Sequence, residues 1–280
     1  MVKQNCQIIS ERKACKLFAV NRSSYRYQAV TREDQDALGK ALKRLAFKHQ
    51  ACGYRMLYHM LRREGWAINH KRIYRLYQEM QLSIRRKVSK KTYHGPRSKL
   101  REAKKRHDFW SLDFVHDRLE SGRQVRILVV IDQYSRECLL SLASYSFCGV
   151  KVCSELSKLI DYYGSPNLII SDNGSEFRNK SVSKFCERLG LNWHYINPGK
   201  PQENGYTESL NGKLRSECLN RYYFKNMSEI SSRLRDWREY YNKVRPHSSL
   251  NYQSPSSFIR SHEEKSVEPS SLGHALKKMN

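Results

Sequence analysis

Apolar residues recur at helical spacing through the first eighty positions and change to strand-like alternation after about residue 107. From Ser10 to Tyr27 (SERKACKLFAVNRSSYRY) the pattern predicts a short helix, a turn at Asn21 and a second short helix. Leu38, Leu42 and Leu45 share one face of a helix predicted over Asp34 to Lys48. Gly53 to Arg63 reads as another, with Leu57, Met60 and Leu61 inward, and the chain then turns through Glu64, Gly65 and Trp66. Asn69 occupies an N-cap position for the next helix, whose apolar side is Ile73, Leu76, Tyr77 and Met80. Its other side offers Lys71, Arg72 and Arg75 to solvent or to a polyanion. Helix, short turn, basic helix is the helix-turn-helix pattern, whose second helix can lie in a DNA major groove; an αα-hairpin with a basic surface has the same pattern.

Residues 85–106 (RRKVSKKTYHGPRSKLREAKKR) break this order with Gly95-Pro96 and read as a basic linker. Beyond it, Trp110, Leu112 and Phe114 alternate with Ser111, Asp113 and Val115, which predicts a strand over Asp108 to His116. Val125 to Asp132 is a second, nearly all-apolar strand, and Glu137 to Ala143 a third. A helix from about Val150 to Tyr163 ends at Gly164, and a short strand, Asn167 to Ser171, delivers the chain to Asp172. Helix Val182 to Leu189, strand Asn192 to Tyr195 and loop Asn197 to Gln202 lead to two helices around Thr207–Asn220 and Ser228–Asn242. Three strands followed by alternating helices and strands argue for a mixed α/β sheet with helices packed on it. The last helix carries Trp237, Tyr240 and Tyr241 at core spacing, ahead of Arg245-Pro246-His247, and reads as structural.

Charge divides the 280-residue chain in the same place. Of the net +25, residues 1–106 hold 28 Lys+Arg against 7 Asp+Glu, whereas residues 107–280 hold 24 against 20. A cationic region with a helical core suits phosphate neutralisation and counterion release, and its spread over a hundred positions argues against a membrane-surface helix. The apolar run Ile127 to Ile131 is too short to span a bilayer, and MVKQNCQIIS lacks the features of an export signal, so a cytoplasmic, nucleoid-associated location is expected. Eight cysteines without CxxC pairing fit reduced thiols better than a zinc module or a disulfide framework.

Three acids stand out by placement. Asp113 lies mid-strand in WSLDFV, where an uncompensated carboxylate is costly. Asp172 begins SDNGSEF at a strand end, and Glu208 lies near a helix start in YTESLNGKLR, with 35 residues between the two. Each alone has an ordinary reading as an ion-pair partner, a turn residue or a surface charge. Together, three converging carboxylates can hold Mg²⁺ or Mn²⁺ ions that activate a hydroxyl and stabilise a leaving oxygen.

These strings and the 35-residue gap resemble the D, D(35)E pattern of the catalytic core shared by retroviral integrases and many transposases. More narrowly, three stretches are similar to the OrfB portion of insertion-sequence 3 family transposases: GYRMLYHMLRREGWAINHKRIYRLYQEMQL, NPGKPQENGYTESLNGKLRSECLN and YYNKVRPHSSLNYQSPSSF. The resemblance implies a ribonuclease-H-like α/β catalytic core over residues 107–260, preceded by an all-α helix-turn-helix DNA-binding region over 1–84 and followed by a tail over 261–280. It implies metal ligation by Asp113, Asp172 and Glu208, with two Mg²⁺ ions for which Mn²⁺ can substitute. The family's basic residue seven places beyond the glutamate falls on Arg215, two helical turns from Glu208 and on its face. Asn204 and Asn211 lie near that face and are expected to contact DNA ends, and Asn173 to position Asp172 or the substrate. The implied partners are double-stranded DNA (the element's terminal inverted repeats and the target), further copies of the chain on that DNA, and the upstream OrfA product or a fused upstream segment. A non-catalytic DNA-binding regulator derived from a transposase, and a nuclease of the same fold, are the alternatives. The intact acid set disfavours the first, and the basic arm with Arg215 the second.

Overall fold

A computed structural model describes residues 10–27, 34–84, 102–197 and 204–267. Its first part is helical: α1 (Glu11–Leu17), α2 (Arg22–Arg26), α3 (Gln35–Lys48), α4 (Tyr54–Arg63) and α5 (His70–Glu79). Asn21 and Asn69 cap α2 and α5, their side chains accepting from Ser23 N and Lys71 N, so the sequence places both starts within a residue. Leu38, Leu42, Leu45, Leu57, Met60, Leu61, Ile73, Leu76 and Tyr77 form one buried cluster between α3, α4 and α5. Met80 departs from expectation. It follows the end of α5 and is 37% exposed, its terminal methyl lying against Gly39, where an added Cβ would come within 2.8 Å.

The second part is a five-stranded sheet in the order β3-β2-β1-β4-β5. The strands are β1 (Phe109–Arg118), β2 (Gln124–Asp132), β3 (Cys138–Ser144), β4 (Leu168–Ser171) and β5 (Trp193–Tyr195). β1, β2 and β3 run antiparallel as a meander, while β4 and β5 run parallel to β1. Between the parallel strands lie the crossover helices α6 (Gly149–Tyr163) and α7 (Lys180–Leu189). Helices α8 (Gly205–Glu217), α9 (Met227–Lys243) and α10 (Pro255–Val267) complete the chain.

Period-two alternation sends the two faces of β1 into different cores. Trp110 and Leu112 join Leu128 and Val130 of β2 under α6 and α7. Val115 joins Ile127, Val129 and Ile131 under α8 and α9, with Leu210, Leu214, Ile230, Leu234 and Trp237. β2 is apolar on both faces because both are covered. Asp113 shares the face of Val115, so its side chain meets α8 rather than α6.

The linker expected over 85–106 falls largely outside the described residues, which resume at 102. Its last residue, Arg106, is anchored to Glu137 (2.9 Å) and Glu263 (3.1 Å). Glu263 lies on α10, which crosses the point where a tail was expected to begin, at residue 261. Phe258 of that helix packs near Tyr134 (ring centroids 5.6 Å apart). Short polar residues hid this helix from a periodicity reading. The seven described cysteines are free thiols, and among the described residues no helix is long and apolar enough to cross a membrane.

The helical domain is fastened to the core through the end of α9. Tyr240 packs against both the α3–α5 cluster and the α8–α9 core. Its hydroxyl lies 3.4 Å from Cys52 Sγ, and its ring stacks on His49. Arg63 donates to the carbonyls of Val244 (2.7 Å) and Tyr252 (2.6 Å), and His59 stacks on the Tyr252 ring at 3.9 Å. Trp237 and Tyr241 are buried, in keeping with the structural reading of that aromatic stripe.

One residue, Asn179, ties three elements together. Its carbonyl caps α7 by accepting from Ser181 N and Val182 N, and its amide donates to the carbonyls of Ser175 and Glu176 in the loop after β4. Gly149 opens α6 directly against it, and a Cβ there would come within 2.1 Å of the Asn179 amide. Gly149→Ala should therefore destabilise the protein by about 1–3 kcal/mol, despite alanine's better helix propensity. Chemical denaturation of the two proteins checks this; equal midpoints would show that the amide moves aside without loss.

Candidate active site

The sheet register brings the first two acids together. β4 runs beside β1 with Ser111 opposite Ile170, so Asp172, just past β4, arrives next to Asp113. This is the carboxyl end of parallel strands, where open α/β sheets place ligands. The third acid comes from α8, which packs across β1 and β2. Asn211, one turn after Glu208, donates from Nδ2 to Asp113 Oδ2 at 2.7 Å and holds α8 to the strand.

Asp113 is half-buried, and its Oδ1 accepts from Phe114 N at 2.8 Å. Its carboxyl is pushed up to about 6, first by burial and then by the negative charges of Asp172 and Glu208, against the hydrogen bonds from Phe114 and Asn211. Burial is the largest cause of that shift, and the two neighbouring carboxylates add to it. Asp172 is half-buried, and its Oδ1 accepts from Gly174 N at 3.1 Å. Glu208 is exposed. Among the described residues no three His, Cys, Asp or Glu side chains are gathered tightly enough to form a ready-made metal cluster. The donor chemistry nevertheless fits a hard divalent cation: carboxylates that repel one another, beside buried amide oxygens. Asn204 Oδ1 and Asn211 Oδ1 are both buried with no hydrogen-bond partner among the described residues.

The remaining expected residues divide. Asn204 is 4% exposed and donates weakly to the Leu112 carbonyl (3.4 Å), so it braces α8 against β1 and offers DNA no surface. Asn211 likewise faces Asp113 rather than solvent. Asn173 Nδ2 donates to the Ile196 carbonyl at 2.5 Å, and its Oδ1 accepts from Arg178, tying the loop to the end of β5. Arg215 is exposed, donates to the His116 carbonyl at 3.1 Å, and lines a groove beyond the end of β1 with Arg118, Arg221 and Tyr223. On α5, Lys71 and Arg75 are exposed as expected. Arg72 is not. Its side chain is 12% exposed and grips Asp34 through two bonds of 2.6 and 2.9 Å, because the helix face it occupies turns back toward the start of α3.

Sequence reading missed the support of the Asp172 loop. Arg126 pairs with Glu176 and lies over the Phe114 ring at 4.3 Å, and Phe177 stacks on that ring with centroids 5.0 Å apart. The signal was a single arginine inside the otherwise apolar string VRILVVID. Gly174 is closely packed, since a Cβ would stand 3.1 Å from both Asp172 Oδ1 and Glu176 Oε2, and either carboxylate would have to give way.

Comparison with known proteins agrees with this architecture. Integrase core domain models match residues 103–201 and 189–255, and an HTH-like domain model matches residues 33–90. The chain is 36% identical over 264 residues to an insertion element IS407 protein of Burkholderia multivorans, covering 94% of this chain and 95% of that one. It is 27% identical to the transposase InsD of insertion element IS2 from Escherichia coli, covering 74% of this chain and 73% of the relative. A simian T-cell lymphotropic virus intasome structure shares the fold, with a TM-score of 0.53 at 17% identity over 78% of this chain and 74% of the viral one. An α/β integrase core behind an HTH-like helical region, matched nearly end to end by an insertion-element protein, identifies the chain as an enzyme of DNA transposition: it belongs to the integrase-core transposases of the insertion-sequence 3 family, OrfB type.

Proposed function

We propose that this transposase cleaves DNA at the ends of its element and joins the freed ends to a new site, with Asp113, Asp172 and Glu208 holding two divalent metal ions. The observation that carries this reading is the raised carboxyl of Asp113, caused by burial beside two other acids and relieved by any cation placed among them. Glu208, exposed and on a helix, is the ligand free to close on such a cation. Mg²⁺ is the expected ion, with Mn²⁺ able to substitute. When bound, such ions supply Lewis acidity at phosphate oxygens and lower the pKa of an attacking hydroxyl.

The protein's own groups do the positioning. Asn211 fixes the orientation of the Asp113 carboxylate, and the Gly174 N–H fixes that of Asp172. Arg215, on the exposed side of α8, takes a phosphate of the DNA end, a role that suits a planar guanidinium. In the first step water attacks a phosphodiester and a 3′-hydroxyl leaves. In the second that hydroxyl attacks another phosphodiester and displaces its 3′ oxygen, so one phosphodiester is exchanged for another. Lys71 and Arg75 on α5 hold the double-stranded terminal repeats. Further copies of the chain, and the upstream OrfA segment, bring the ends and the target together.

Asp172→Asn should bind labelled terminal-repeat duplex within about twofold of the unaltered protein and lose cleavage and joining by about three orders of magnitude or more. If the unaltered protein, supplied with the upstream segment and Mg²⁺, binds the repeats and never cuts, the catalytic reading fails. Metal affinity should follow Asp113. The group must lose its proton to ligate, so Mn²⁺ binding should fall about tenfold per pH unit below about pH 6 and level off above it. Calorimetric titration across pH 5–8 reads this, and a flat profile would remove Asp113 from the ligand set. On the arm, Lys71→Glu and Arg75→Glu should weaken duplex binding and lower its salt slope by about 0.9 per lost phosphate contact. Arg72→Ala should leave that slope unchanged and cost about 1 kcal/mol of stability or less.

A further inference from the structure

Where the helical domain meets the core, a cavity of about 620 Å³ opens between the start of α4 and the segment after α9. Lys213, Arg245 and Arg55 line it, with Ser248 and Ser249, and none of its described lining residues is acidic. We propose that this cavity is a second DNA-contact site, which receives one backbone phosphodiester between Lys213, the serine hydroxyls and the amino terminus of α4. The inference rests on the DNA-binding reading above and extends it from the outer surface of the arm to the joint between arm and core.

Three features support it. The first is uncompensated positive charge. Arg245 is buried and bound to Glu217 at 2.7 Å, which also accepts from Trp237, so the nearest acid is already occupied. Among the described residues Lys213 has only the neutral Ser209 hydroxyl as its hydrogen-bond partner, at 2.8 Å. Burial first and the Arg245 guanidinium next push its ammonium down to about 8, against the opposing charge of Glu217, with Arg136 adding a smaller push. His247 on the same wall is driven down to about 3, by burial first and by Arg245 next, and its Nε2 is engaged with the Tyr241 carbonyl. Burial is the larger cause in both groups and the Arg245 charge adds to it, so an anion placed in the cavity would offset that charge.

The second feature is α4 itself, a helix of 10 residues whose amino terminus opens on the cavity. Gly53 is its N-cap; among the described residues no side chain caps it and no acid lies in its first turn. Its free N–H groups and dipole favour an anion. The third is direction. Lys213 lies five residues past Glu208, about 140° around α8, and so faces the arm while Glu208 and Arg215 face the proposed active site. One helix would then contact DNA on two sides.

The test uses the full chain with a fluorescent duplex carrying a terminal repeat, at 50–200 mM salt. Lys213→Gln should lower the slope of log K against log salt by about 0.9 and weaken binding about eightfold at 0.1 M, as expected for one lost phosphate. Its thermal midpoint should stay level or rise, because a like-charge repulsion is removed, and Lys213→Arg should restore the slope. An unchanged slope for Lys213→Gln, with binding by the unaltered protein intact, would overturn this site alone. Absence of duplex binding by the unaltered protein would overturn it together with the transposase reading. A second arm follows the Lys213 methyl resonance after reductive methylation, with inorganic phosphate or with unlabelled duplex. Duplex should raise its pKa, and a response to phosphate without one to duplex would mean a free-anion site and sink the DNA assignment.

Discussion

Asp113 sits on the middle strand of the sheet, with covered strands on both sides and α8 across its face. A carboxylate in that position loses hydration and meets two further negative charges, which is why its proton is held to about 6. Everything near it compensates for this. Asn211 spends its amide on Asp113, Gly174 gives its N–H to Asp172, and Arg126 with Glu176 clamps the loop from behind. The parallel pairing of β1 and β4 makes the crowding unavoidable, because it brings the second acid to the end of the strand that carries the first. A fold that merely needed stability would place leucine at 113. Retaining an acid there concedes stability for charge, as expected of a site that handles a cation.

Most of this was legible in the chain before any coordinates. Alternation over Asp108–His116 assigns Asp113 to one face of a strand, and the turn at Asn21 and the N-cap at Asn69 place two helix starts. The three acids could be picked out because each lies at a special point: mid-strand, strand end and helix start. What was hidden depends on contacts between residues far apart in sequence. Arg72 looks as free as Lys71 until α3 brings Asp34 beside it. Asn204 looks like a surface residue beside an active loop, yet the packing of α8 on β1 buries it. Helix α10 escaped notice because serines and charges weaken its apolar face, and its contacts, Arg106 with Glu263 and Tyr134 with Phe258, join residues far apart in sequence.

Division of charge along the chain also acquires a structural meaning. The strongly basic first third contributes a compact helical cluster with exposed cations on α5, while the nearly neutral remainder brings Asp113 and Asp172 together on the paired strands β1 and β4. On the function proposed above, a polyanion would be attracted to the exposed cations of α5, and the carboxylates would need cations before accepting it.

The joint between them sets a length. Arg63 fastens the end of α4 to two carbonyls of the core, and Tyr240 belongs to both hydrophobic clusters at once. Such a joint resists hinging, since any rotation breaks charge-assisted hydrogen bonds and opens packed aromatic contacts together. If α5 holds the terminal repeat and the carboxylates cut it, as proposed above, such a joint would make the protein a ruler. The number of base pairs between the sequence held and the bond cut would then be a property of this joint, and would change with the residues that fill it even if neither domain altered.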